Sequence, residues 1–104
     1  MRILIIPKIK EPYKNQLEFS VEKSLLTFLN KSFKNCNIDI SYDFQFKKKY
    51  NLIILSGGNT ILKYSKKNKD KFRAKLDNFF LKKANLSKTP IIGICHGGQF
   101  IATK

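Results

Sequence analysis

The chain has 104 residues, 42% of them apolar, and a net charge of +14 from 21 basic against 7 acidic side chains. That is room for one small domain with a core. No membrane span or secretory leader is readable: the N-terminal apolar run, Ile3 to Ile6, is far shorter than either requires.

The basic residues are nearly all lysines, spread along the chain with clusters at Lys47-Lys48-Lys49 and Lys66-Lys67-Asn68-Lys69. Arginine, the better reader of phosphates and bases, occurs only at Arg2 and Arg73, and no aromatic ladder alternates with the lysines. The charge therefore reads as compositional bias toward Lys, Asn, Ile and Phe rather than as a nucleic-acid surface, although it would still steer anions. The two cysteines, Cys36 and Cys95, form no CxxC pair, and with one histidine no metal-ligand spacing exists. The expectation is a cytoplasmic protein with reduced thiols and no membrane partner. The Asn30 and Asn85 N-x-S sequences then carry no glycosylation meaning.

In chain order, Arg2 to Pro7 is a continuous apolar run closed by proline, which predicts a buried parallel strand. Pro7 to Asn15 is polar with a second proline and reads as a loop. Gln16 to Lys31 places Leu17, Val21 and Leu25 at i, i+4, i+8, which predicts an amphipathic helix. Ile38 to Phe44 alternates apolar and polar, as in a strand exposed on one side near a sheet edge. Cys36, just before it, reads as a structural thiol. Asn51 to Leu55 is a second continuous apolar strand, ended by Ser56-Gly57-Gly58-Asn59. Thr60 to Asn68 reads as a loop. Lys69 to Ala84 carries Phe72, Leu76, Phe79, Phe80 and Ala84 at helical spacing. In it, Arg73 and Asp77 form an i, i+4 pair of the usually solvated kind, worth about 0.2–0.5 kcal/mol. Thr89-Pro90 opens a last strand.

That strand runs into Gly93-Ile94-Cys95-His96-Gly97-Gly98-Gln99. Small residues flanking Cys95 permit a sharp strand-to-helix turn that pushes the thiol out of the sheet, a nucleophile elbow with sulfur in place of the serine hydroxyl. A cysteine so placed sits at a helix N-terminus, where backbone N–H groups favour a thiolate.

The heptapeptide resembles the G-[IV]-C-x-G-x-Q signature of class I glutamine amidotransferases. Leu55-Ser56-Gly57-Gly58-Asn59 resembles the glycine turn that this family places upstream. The branch grouped with γ-glutamyl-γ-aminobutyrate hydrolase is the most similar, and Arg73 and Asp77 stand where its helix carries an Arg and an acid. The resemblance implies a flavodoxin-like α/β three-layer sandwich with a mostly parallel sheet, of which residues 1–104 would be the N-terminal half, truncated after the elbow. It implies Cys95 as nucleophile, the backbone N–H groups of Gly58 and His96 as oxyanion hole, and Gly57, Gly58 and Gln99 as substrate-binding residues. No cofactor is implied.

The substrate would be glutamine or a γ-glutamyl amide, hydrolysed through a γ-glutamyl thioester. The family's His and Glu, which activate the thiol, come from a downstream region this sequence lacks. His96, beside the nucleophile across a tight turn, is poorly placed to replace them. Three readings follow: a fragment whose missing C-terminal half, or a synthase subunit, completes the site; a DJ-1/PfpI-like cysteine protein, which shares the C-H-G elbow but usually has a proline where Ser56 stands; or a catalytically inactive binding subunit. A sheet ending at the elbow should also leave an apolar edge uncovered.

Overall fold

Four parallel strands build the centre of the molecule: β1 (Arg2–Ile6), β4 (Asn37–Ile40), β5 (Leu52–Leu55) and β6 (Ile91–Gly93). Their order across the sheet is β4-β1-β5-β6. The computed structural model describes residues 1–46, 48–60 and 64–102, without the side chains of His96 and Gln99. Part of the lysine cluster at Lys47 and part of the Thr60 to Asn68 loop thus lie outside the described residues.

Alternation along the strands sorts their side chains to two faces. On one, Ile3, Ile5, Leu52 and Ile54 pack against Leu29 of α1 (Lys23–Ser32). On the other, Leu4, Ile6, Ile53 and Leu55 pack against Leu76, Phe80 and Ala84 of α2 (Asn68–Ser87) and Phe100 of α3 (His96–Ala102). The result is an α/β/α arrangement in which both faces of the sheet bury continuous apolar runs, the pattern that Ile3 to Ile6 and Leu52 to Leu55 announce. The one-sided strand lies at the edge, as its alternation requires, but it is shorter than predicted and stops at Ile40. Among the described residues no helix is long and apolar enough to cross a membrane.

The segment after β1 departs from expectation. Residues 7–15 are not a loop, and the first helix does not begin at Gln16. Instead β2 (Lys8–Tyr13) and β3 (Gln16–Ser20) form an antiparallel hairpin. Tyr13 pairs with Gln16 across a two-residue turn at Lys14-Asn15, where Asn15 takes φ 64°. Asparagine tolerates this left-handed conformation, and the Glu11 carboxylate accepts the Asn15 N–H at 2.8 Å. Pro12 is accommodated because a two-stranded sheet consists only of edges, and the register shifts beside it, between Lys10 and Tyr13. The hairpin rests on α2 through Ile9, fully buried, and an edge-to-face contact of Phe19 with Phe72.

At the other margin, β6 leaves apolar surface open. Ile92 is 50% exposed and Ile94 38%. This is the uncovered edge that the sequence predicts.

Candidate active site

Three residues make the turn at the end of β6. The Ile94 N–H donates to Leu55 O at 2.9 Å, extending the ladder one residue past the strand. Cys95 then takes φ 50°, and the Gly97 N–H closes the turn on Ile94 O at 3.0 Å. A left-handed backbone costs a cysteine about 1–3 kcal/mol, strain that persists only where the surroundings over-determine it. Two glycines do so here. A Cβ on Gly93 would stand 2.3 Å from the Gly97 carbonyl carbon, and one on Gly97 would stand 2.1 Å from Leu55 O. Strand and helix backbones meet there with no room for a side chain, and α3 starts at once. Cys95 is exposed.

The turn after β5 faces this thiol. A Cβ on Gly57 would lie 2.9 Å from Cys95 Cβ and 3.6 Å from its Sγ. Gly58, with φ 104°, faces the other way along the cleft, against the Lys8 side chain. Both glycines, Cys95, Ile94, Ser56 and Lys8 line one cleft of about 360 Å³, whose far wall is the start of α1 with Leu25 and Phe28. Lys8 of β2, Ser56 to Gly58 after β5, and Ile94 and Cys95 after β6 thus meet in this cleft at the carboxyl ends of the strands, although the segment containing Lys8, read as a loop, is a strand. The His96 backbone opens α3 directly after Cys95. The predicted role of the Gln99 side chain lies outside the described residues.

No family model, curated protein or solved structure matches the chain.

What holds the glycine turn is a buried polar network that sequence reasoning misses. Arg73, fully buried, donates from Nη2 to Ser56 O at 2.6 Å, from Nη1 to Pro7 O at 2.9 Å and from Nε to Asp77 Oδ1 at 2.8 Å. The Arg73–Asp77 pair is therefore not the solvated pair expected from its spacing: both side chains are 0% exposed. Asn59 continues the network. Its amide accepts the Ile9 N–H and donates to Ile9 O, each at 2.9 Å, tying the end of the glycine turn to the hairpin. It also donates to Asp70 at 3.0 Å. One buried arginine thus fixes the carbonyls that precede both Lys8 and Gly57. The signals in the sequence are an Asn directly after Gly-Gly, the rarity of arginine, and the resemblance that places an Arg and an acid at 73 and 77.

Asp70, 1% exposed, closes the network at the start of α2. Burial alone would raise its pKa. Hydrogen bonds from Ser65 Oγ, the Thr60 N–H and Asn59, with Lys69 nearby, outweigh burial and hold the carboxyl below its usual range. A carboxyl depressed in the fold adds stability above its unfolded pKa, near 3.8, and loses it as pH falls through the folded value. Asp70→Asn should therefore lower the thermal midpoint at neutral pH, and the gap to the wild type should narrow below pH 3.8; a gap independent of pH would contradict the network.

A second cleft, of about 310 Å³, lies at the carboxyl end of β4 between Asp39, Ser41, Asp43 and Tyr50. Burial, and then the hydrogen bond to Asp39 at 2.9 Å, push the Tyr50 phenol up to about 12, so it stays a neutral donor. Among the described residues no cysteine or histidine lines this cleft, and the candidate chemistry stays with Cys95.

Proposed function

We propose that the chain carries the nucleophile half of a cysteine-dependent glutamine amidotransferase or γ-glutamyl amide hydrolase on a flavodoxin-like sheet. One observation carries this reading: an exposed cysteine held at positive φ, directly opposite a Gly-Gly turn, in a cleft at the carboxyl ends of parallel strands. Ligands of open α/β sheets bind in that position, and the strained turn is how an elbow presents a nucleophile.

The Cys95 thiolate attacks the γ-amide carbon of the donor, forming a C–S bond while the carbonyl electrons move to oxygen. The N–H groups of Gly58 and His96 are assigned to that oxyanion, each donor worth about 3 kcal/mol. Collapse breaks the C–N bond, and the nitrogen leaves protonated as ammonia or an amine. Water attacks the γ-glutamyl thioester, and glutamate and the thiol are restored.

Among the described residues the lining carries one ammonium, Lys8, and one carboxylate, Glu22. Among the described side chains, Cys95 Sγ has no hydrogen-bonded base. Acylation of Cys95 by an activated donor should accordingly outrun turnover by these residues.

γ-Glutamyl p-nitroanilide tests the proposal. A burst of p-nitroaniline approaching one equivalent per chain should be abolished by Cys95→Ala and kept by Cys36→Ser. Absence of a burst, or its loss with Cys36, would refute the assignment.

A further inference from the structure

Lys8 is a charged side chain that the proposed chemistry does not use. It opens β2 and is half-buried. Its stem lies along the glycine turn: a Cβ on Gly58 would stand 2.5 Å from Lys8 Cδ, 2.9 Å from Cγ and 3.1 Å from Cε. Glycine at 58 is thus what lets the lysine lie flat across the turn and line the cleft that holds Cys95. The backbone beneath it is fixed, since Lys8 pairs with Ser20 and the preceding carbonyl, Pro7 O, is held by Arg73. Among the described residues Lys8 forms no ion pair, whereas Lys48, Lys69 and Arg73 do. The cleft's carboxylate, Glu22, accepts instead from Ser24 Oγ at 3.4 Å.

We propose that Lys8 is a specificity-determining residue of the Cys95 cleft, selecting acyl donors and electrophiles that carry a negative charge. Resting on the amidotransferase reading, this assigns the Lys8 ammonium to a carboxylate at the end of the donor remote from the reacting carbon. A cation at the mouth of a cleft with low-dielectric walls acts on an incoming anion more strongly than the same charge on an open surface.

Paired alkylation separates this local effect from the general attraction of a +14 chain. Iodoacetate and iodoacetamide react with a thiolate alike: the sulfur forms an S–C bond, the C–I bond breaks and iodide leaves. Only their charge differs. The iodoacetate-to-iodoacetamide rate ratio, read at each cysteine by peptide mass spectrometry, should be higher at Cys95 than at Cys36 in the wild-type protein. Lys8→Met should lower the Cys95 ratio by about fivefold and leave the Cys36 ratio alone, and Lys8→Arg should keep it high. Lys10→Met removes the same charge two residues along β2, at an exposed position outside the cleft lining, and should change the Cys95 ratio little.

Equal ratios at the two cysteines of the wild-type protein, or equal losses in Lys8→Met and Lys10→Met, would overturn the proposal. These outcomes are independent of the γ-glutamyl p-nitroanilide burst. A charge-selective Cys95 without a burst would remove the glutamine donor and keep Lys8; a burst without charge selectivity would do the reverse.

Discussion

Replacing Arg73 by alanine is expected to destabilise the protein by about 3–5 kcal/mol, read as a fall in the urea midpoint at unchanged m-value. The guanidinium is 0% exposed and its partner Asp77 equally so. Truncation takes the Arg73 Nε donor from a buried carboxylate and a donor from each of Ser56 O and Pro7 O. The penalty comes mostly from what is left behind. The double substitution Arg73→Met, Asp77→Leu, which removes both charges at similar volume, should therefore recover much of the stability. It should not recover the site, because the carbonyl before Gly57 would still have lost its donor. A single Arg73→Ala change costing under about 1 kcal/mol would mean that the pair is solvated after all.

The second large effect contrasts adjacent glycines. Gly97→Ala puts a methyl group 2.1 Å from Leu55 O and 2.6 Å from Leu55 Cβ. One of those atoms is backbone, so no rotamer change relieves the clash, and the turn must open. The expected result is a loss of at least about 1–3 kcal/mol together with loss of the reactivity proposed for Cys95. Gly98→Ala, one residue on, meets nothing closer than 3.5 Å among the described residues. It lies inside α3, where alanine is the better helix former, so stability should hold or rise by up to about 1 kcal/mol. Similar losses at both positions would indicate that glycine serves α3 generally rather than the elbow.

The parts of the molecule legible in the sequence are those where one local signal has one meaning. A continuous apolar run such as Leu52 to Leu55, closed by two glycines, can hardly be anything but a buried strand entering a tight turn. The run from Ile91 into Gly93 and Cys95 likewise reads as a buried strand entering such a turn, but β6 lies at the sheet edge and Ile92 and Ile94 stay exposed. The hairpin was not legible because its signals conflict. Leu17, Val21 and Leu25 keep helical spacing across what is in fact a strand, a connection and a helix, while Leu17 and Phe19 alternate with polar neighbours over too few residues to overrule it. Pro12 argues against a strand unless both strands are known to be edges, which is tertiary information. Lys8 was missed for the same reason, since it lies in the segment read as a loop. Arg73 and Asp77 show a different limit. An i, i+4 ion pair has identical spacing on a wet face and in a core, and only the hairpin lying over α2 decides which it is.

The account depends on Cys95 being a nucleophile that recognises a glutamine-like ligand in the cleft beneath Gly57 and Gly58. A diazo-ketone or chloroketone analogue of glutamine, followed by peptide mapping, measures that directly. The account predicts modification of Cys95 with Cys36 spared, slowed by free glutamine and abolished by unfolding. Equal modification of both thiols, at rates that glutamine does not change, would contradict it.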